Sequence, residues 1–204
     1  MASVGILGGT FNPPHVGHLV CAQEAHAQLG LDVVVLMPVH APPHKPLPDD
    51  PGVDHRVEMC RLAAGDDVRL AVSRWEADRP GPSFTVDTLR ALHERSPEDD
   101  LTFVVGGDMA ATLPTWREPA EVLRLARLAI AERDGAAREA IREALTGLGA
   151  ADRATFLDMP RVDVSSSLVR ERVAAGRPVR NLVPDAVVRH IAAHRLYGAQ
   201  PAPR

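Results

Sequence analysis

Short runs of contiguous apolar residues alternate along this chain with longer stretches in which apolar positions recur every three or four residues. Val4-Gly5-Ile6-Leu7 is a run of the first kind; closed by Gly8-Gly9, it reads as a buried strand ending in a tight turn. In residues 16–29 apolar side chains return at Val16, Leu19, Val20 and Ala27, with Gly30 placed as a C-cap, which predicts a helix. Val33-Val34-Val35-Leu36-Met37, closed by Pro38, predicts a second buried strand. Strand, helix and strand in that order imply a right-handed crossover and a parallel sheet. The Pro- and Asp-rich residues 40–53 read as loop. Beyond them the pattern predicts helices over 55–64, 84–94 (Val86, Leu89 and Leu92 inward), 118–127, 134–148, 166–174 and 184–194, and strands over 68–73, 101–105, 128–131 and 155–159. The expectation is an α/β fold: one domain over residues 1–197 built on a doubly wound parallel sheet, with 198–204 as a frayed tail. Ligands of such sheets bind outside the carboxyl ends of the strands, so the loops after Leu7, Met37 and Val105 are the places to look.

Composition narrows the class. The 204 residues (21.9 kDa) are 45% apolar and 25% charged, which excludes a disordered or fibrous chain. No apolar run approaches the ~20 residues that span a bilayer, and Met1-Ala2-Ser3-Val4-Gly5 lacks the basic segment of a signal peptide. A net charge of −4 without acidic or basic blocks argues against a broad nucleic-acid or membrane surface, though not against a small basic pocket. Cys21 and Cys60 form neither a disulfide framework nor a metal-ligand spacing and are expected to be free thiols in a reducing cytoplasm. Of 23 basic side chains only Lys45 is a lysine; Asn occurs at Asn12 and Asn181 alone, and Tyr at Tyr197 alone. These are residue types with AT-rich codons, scarce in a GC-rich genome. Where one persists, its chemistry becomes a candidate for a specific need.

The first loop reads Gly8-Gly9-Thr10-Phe11-Asn12-Pro13-Pro14-His15-Val16-Gly17-His18-Leu19. Its glycines let backbone approach a ligand closely. His15 and His18, three apart at a helix start, project from one face beside free N–H groups and the positive end of the helix dipole, an arrangement suited to an anion. Two surface histidines on an ordinary turn are the bland alternative, and the combination of Gly-Gly-Thr with His-x-Gly-His weighs against it. There is no G-x-x-x-x-G-K-[ST] and no G-x-G-x-x-G, which removes P-loop and dinucleotide-fingerprint readings. Lys45, beside His44 in a Pro-stiffened loop, is a flexible point charge able to follow a polyphosphate, or else a solvated loop lysine. Ser165-Ser166-Ser167 opens a helix as a second anion site, with Arg170 one turn in, or is a plain N-cap with a surface arginine. After a strand, Gly106-Gly107-Asp108 offers a carboxylate to ribose hydroxyls, or simply turns the chain. Trp116 presents a flat face or plugs the core, Thr85 stands at a helix start as a possible cap, and Trp75 is assigned to packing.

Taken with Pro42-Pro43-His44-Lys45, Ser83-Phe84-Thr85-Val86-Asp87-Thr88-Leu89, Val105-Gly106-Gly107-Asp108 with Leu113-Pro114-Thr115-Trp116, and Val164-Ser165-Ser166-Ser167-Leu168-Val169-Arg170, the loop makes the chain resemble the nucleotidyltransferases that carry a [T/H]-x-G-H motif. Within them it resembles the nicotinate-nucleotide adenylyltransferases, from Val4 to Tyr197. His-x-Gly-His alone would also fit pantetheine-phosphate adenylyltransferases or cytidylyltransferases; the four further segments in this order are more specific. Ser167 replaces the family's Thr and keeps a hydroxyl, and Arg117 stands where a Tyr often follows the Trp.

The resemblance implies a Rossmann-like nucleotidyltransferase fold and adenylyl transfer from ATP to nicotinate mononucleotide, giving deamido-NAD and pyrophosphate in NAD biosynthesis. It implies His15, His18 and Lys45 as catalytic residues. It places ATP against Gly8, Gly9, Thr10, Phe11, His15, His18, Ser165, Ser166 and Arg170. It places the mononucleotide against Asn12, His44, Lys45, Thr85, Gly106, Asp108, Trp116 and Arg117. The nucleophile is then the substrate's own phosphate, largely dianionic with a second pKa near ~6, so no protein nucleophile is required. Mg²⁺ is expected through ATP phosphates and water, with no protein ligand named. Partners are the two small molecules, with neither nucleic acid nor membrane, in the cytoplasm; the oligomeric state stays open. The same chemistry on another acceptor such as phosphopantetheine, and a non-catalytic nucleotide-binding protein, are the rival readings.

Overall fold

Six parallel strands form one sheet in the order β3-β2-β1-β4-β5-β6. They are β1 (Ser3–Gly9), β2 (Val33–Pro38), β3 (Leu70–Val72), β4 (Asp100–Gly106), β5 (Arg127–Ala131) and β6 (Ala154–Phe156). This computed structural model describes residues 1–42, 47–132 and 135–199, with the backbone alone for 135–137. Between and after the strands run α1 (Val16–Leu29), α2 (Val53–Ala64), α3 (Thr85–Arg95), the single turn α4 (Gly107–Ala110), α5 (Pro119–Leu125), α6 (Gly135–Gly147), α7 (Ser166–Ala174) and α8 (Asp185–Ala193). The chain winds outward from β1 through β2 to β3, then returns to β4 on the other side of β1. The strand order therefore reverses between β1 and β4, the switch point at which such sheets bind ligands.

Side chains alternate across the sheet as strand geometry requires. Ile6, Met37, Phe103, Val105, Leu128 and Ile130 face one core, against Val86 and Leu89 of α3, Val122 of α5 and Ile141 and Leu145 of α6. Leu7, Val34, Leu36, Val104 and Ala129 face the other, with α1 and Cys60 of α2. A third apolar cluster packs Met59 of α2 against Val169 and Val173 of α7 and Val187 and Ile191 of α8.

The expected elements are all present, with local corrections. Helix α1 ends in left-handed Gly30 (φ 61°) as expected, yet its buried face is Cys21, Ala22 and Ala25, and Ala27 is exposed. Small side chains on that face let the helix lie close on the sheet. Helix α2 begins at Val53 rather than residue 55. Strand β3 is three residues long because Val68 points into solvent at 92% exposure. Arg127 opens β5 instead of closing α5, and β6 stops at Phe156. The loop after β4 holds α4 and a 3-10 turn (Leu113–Thr115), pieces too short to show a period. Near the C-terminus Leu196–Gly198 forms a 3-10 turn that includes Gly198, expected as tail; residues 200–204 lie outside the described residues. Among the described residues no helix is long and apolar enough to cross a membrane.

Arg56 of α2 was not anticipated. It is completely buried, and its guanidinium donates to the carbonyls of Thr10 (3.0 Å), Val39 (2.7 Å) and His40 (3.0 Å) and to Asp50 (3.0 Å). One planar fork thus ties the loop after β1 to the loop after β2. Arg56→Met keeps the apolar stem but leaves three part-buried carbonyls and Asp50 without their donor, and should destabilise the fold by roughly 3–5 kcal/mol in urea unfolding. Asp50→Asn, at a position one-third exposed, should cost about 1 kcal/mol or less. Comparable losses in the two variants would show that the Asp50 pair, not the carbonyl clamp, matters.

Candidate active site

A cavity of about 590 Å³ opens at the switch point, between the carboxyl ends of β1 and β4. Gly8, Gly9 and Thr10 form its floor on the β1 side, His15, Gly17 and His18 the start of α1, and Gly106 and Asp108 the end of β4. At two of these places glycine permits a close approach. A Cβ on Gly17 would stand 3.0 Å from Nδ1 and 3.1 Å from Cε1 of His15, and one on Gly8 would stand 3.2 Å from the Phe103 ring.

His15 is the N-cap residue of α1, in an extended conformation, and its backbone N–H donates to Nδ1 of His18 at 3.1 Å. The rings lie side by side, centroids 3.8 Å apart, and Phe11 backs His18 at 4.9 Å. Burial lowers the His15 pKa from 6.5 to about 4; burial first, and the neighbouring His15 second, hold His18 well below its ordinary value. Both rings are therefore neutral at neutral pH. Because Nδ1 of His18 accepts a hydrogen bond, its proton sits on Nε2, which leaves a fixed N–H donor. Nδ1 of His15 is buried without a hydrogen-bond partner. The N–H of Gly17 takes no backbone acceptor among the described residues, as expected in a first helical turn.

The start of α7 forms the neighbouring wall. Ser165 is its N-cap, accepting from the N–H of Leu168 at 3.1 Å, and it lines the cavity. Four residues of the expected ATP and mononucleotide sets do not line it. Ser166 Oγ donates to the Pro13 carbonyl (2.8 Å), and Arg170 donates to the Asn12 carbonyl (2.8 Å) and lies 3.5 Å from Asp49. Asn12 donates to the Pro48 carbonyl (2.9 Å) and accepts from the Tyr197 hydroxyl (2.8 Å). Phe11 is fully buried, at a left-handed φ of 49°. The bonds of Ser166, Arg170 and Asn12 brace the histidine loop, while Nε of Arg170 is buried without a hydrogen-bond partner. The predicted site residues His44 and Lys45 lie outside the described residues.

Across the cavity, Trp116 is both wall and plug. It is 9% exposed, edge-on to Phe103 (6.0 Å, 89°), and its indole N–H donates to Thr112 Oγ1 (2.9 Å). Arg117 lies over the Phe84 ring (5.1 Å) and pairs with Asp87 (3.3 Å). Thr85 opens α3, and the N–H groups of Thr85 and Val86 take no backbone acceptor among the described residues, whereas that of Trp116 is spent on the Leu113 carbonyl (3.0 Å). One residue here escaped the sequence. Glu76 lines the cavity, buried, with its carboxyl pushed up by burial and accepting from Thr88 Oγ1 (2.6 Å). Gly107 is needed because a Cβ would overlap the Glu132 side chain. Glu76 does not signal itself locally, since it looks like any loop acid; Gly107 stood in the Gly106-Gly107-Asp108 segment, but its packing constraint comes from Glu132, just after β5.

Comparison with known proteins agrees with this geometry. Residues 6–172 match the cytidylyltransferase-like family. The chain is 44% identical to a relative from Roseiflexus sp. (strain RS-1) named "Probable nicotinate-nucleotide adenylyltransferase", over 96% of this chain and 98% of that one. It is 38% identical to one of the same name from Bacillus pumilus (strain SAFR-032), over 97% and 99%. Among solved structures, Plasmodium falciparum nicotinic acid mononucleotide adenylyltransferase complexed with APC superposes with a TM-score of 0.76 over 98% of this chain and 99% of that one, at 13% identity, a likeness of fold.

The depressed histidines make the site pH-sensitive in a defined direction. The unfolded chain takes up protons near 6.5 that folded His15 takes up only near 4, so stability should fall as pH drops through that window. His15→Gln should flatten the slope. Imidazole ¹⁵N NMR should find His18 neutral with its proton on Nε2 at neutral pH and still neutral as pH falls through the ordinary imidazole range. A His18 ring that charges near 6.5 would contradict the arrangement.

Proposed function

The chain belongs to the cytidylyltransferase-like family, and we propose that it transfers the adenylyl group of ATP to nicotinate mononucleotide, releasing pyrophosphate and forming deamido-NAD. The observation that carries the chemistry is the pair of neutral, fixed imidazoles at the switch point, between the opening turns of α1 and α7. A phosphate oxygen of the mononucleotide attacks the α-phosphorus, the bond to the bridging oxygen of pyrophosphate breaks, and no proton need move. The protein aligns the two reactants and meets charge as it builds. In this proposal His18 Nε2–H and His15 donate to α-phosphate oxygens. The N–H groups at the start of α7 face the departing pyrophosphate, with Ser166 and Arg170 acting through the loop they brace. Lys45, by its resemblance alone, follows the same phosphates.

Mg²⁺ belongs to the proposal as an ion carried by ATP. The carboxylates lining the cavity are Asp108, and Glu76, which is bonded to Thr88; this donor set suits an ion held by phosphate oxygens and water better than a protein cage. When bound, the ion neutralises polyphosphate charge. A cytoplasmic location is likewise proposed. It accords with Cys21 and Cys60, free and buried, the Cys21 thiol pushed up to about 11 and Cys60 higher still.

The nicotinate ring is assigned to the Trp116 wall and its carboxylate to the open N–H groups of α3. Arg117 neutralises Asp87 beside them. Pyrophosphate release should therefore depend on nicotinate mononucleotide, with its amide poorer and phosphopantetheine inert; an equal response to all three would sink the substrate assignment. Arg117→Ala should narrow the gap between acid and amide by up to about fivefold, since an exposed pair is worth only ~0–1 kcal/mol. A widened gap would remove Arg117 from this role. His18→Ala should cut kcat by roughly 10²–10³. Gly17→Ala should lower it by about tenfold by displacing the His15 ring, with folding stability retained. Full activity in Gly17→Ala would show that the ring position is not critical.

A further inference from the structure

Three imidazoles outside the cavity converge where α8 packs on α2. His190 lies on α8 and His194 caps it, four residues apart and so on one face; His55 comes from the first turn of α2. None of them lines either cavity. Ring centroids are 4.4 Å apart for His190 and His194, 4.9 Å for His55 and His194, and 5.2 Å for His55 and His190. Nδ1 of His55 and Nε2 of His190 are 3.0 Å apart, and one ring nitrogen from each of the three lies within 4.8 Å of the others. A tetrahedral ion with Zn–N distances of ~2.0–2.1 Å sets its donors about 3.3 Å apart, so a small rotation of the side chains would bring all three onto one ion.

We propose that His55, His190 and His194 form a binding site for a transition-metal ion, with Zn²⁺ as the ligand and water completing the tetrahedron. An all-imidazole donor set suits zinc and its neighbours, whereas Mg²⁺ and Ca²⁺ require oxygen. The frame is rigid, because Met59, Val187 and Ile191 pack the two helices together beneath the rings. His55 and His190 are half-buried and His194 is exposed, which leaves an entry path and a place for water. The ion would staple the last helix to α2, whose Arg56 follows His55 directly and clamps the loops of the active site. Its role is structural and separate from adenylyl transfer.

The test uses tag-free, EDTA-stripped protein titrated with ZnCl₂ by calorimetry and followed by thermal melting. The expected result is one Zn²⁺ per chain, with the melting temperature raised by roughly 5–10 °C at a hundredfold excess over Kd. His55→Gln and His190→Gln should each weaken binding at least tenfold, on the order of the loss seen when a metal site is disturbed. His194→Gln changes an exposed residue and serves if either of those fails to fold. The variant His18→Ala should keep the full effect. Co²⁺ should give visible absorption bands in the wild type that His194→Gln abolishes. Absence of Zn²⁺ binding, binding unchanged by His55→Gln and His194→Gln, or a melting shift that His18→Ala removes would each overturn the proposal.

Discussion

The buried guanidinium of Arg56 is the constraint from which the site follows. The carbonyls of Thr10, Val39 and His40 lie part-buried just past the ends of two neighbouring strands, and each accepts from the Arg56 guanidinium. A buried carbonyl without a donor costs about 1–3 kcal/mol, so three of them would unravel the loops they belong to. Only a planar group with several donors meets all three at once while also reaching Asp50. A lysine in this place would supply a point charge with the wrong geometry. With the two loops fixed to each other, the chain between Thr10 and His15 has a definite start, and α1 begins with its histidines aimed at the switch point.

A second set of long-range contacts finishes that loop. Arg170 bonds to Asn12 across 158 residues of sequence, Ser166 to Pro13 across 153 and Tyr197 to Asn12 across 185. The two depleted residue types that meet here, Asn and Tyr, meet each other. Asn12 donates from its amide nitrogen to Pro48 and accepts at its amide oxygen from Tyr197, two separate atoms that a single hydroxyl oxygen does not offer. The other asparagine, Asn181, adopts a left-handed φ of 69°, which asparagine tolerates better than most side chains. At Asn12 the scarce residue type serves the architecture of the histidine loop, through Pro48 and Tyr197.

This explains how far the sequence could be read. Strands β1, β2 and β4 were legible as short contiguous apolar runs closed by Gly or Pro, and helices α1 and α7 from apolar positions recurring every three or four residues. The histidine pair was legible because spacing, glycine and helix start lie in one short segment. Arg56, Arg170 and Ser166 act on backbone carbonyls far away in sequence, and such contacts leave no local pattern. The same holds for His55, which sits 135 residues from His190. The buried face of α1 is made of the small residues Cys21, Ala22 and Ala25, none of which the apolar recurrence at Val16, Leu19, Val20 and Ala27 marks out.

The neutrality of the two imidazoles has a catalytic meaning in the proposed reaction. Two charged rings 3.8 Å apart would repel each other and would also attract the triphosphate of free ATP strongly. Attraction that is equal in the ground state and the transition state lowers KM without raising kcat. A neutral N–H held in place by a backbone hydrogen bond behaves differently. It contributes modestly to a resting phosphate and more as negative charge gathers on the non-bridging oxygens. Burial of His15 and His18 is thus what makes their interaction selective for the moment of transfer, and the missing side chain at Gly17 is what gives the His15 ring room to stand there.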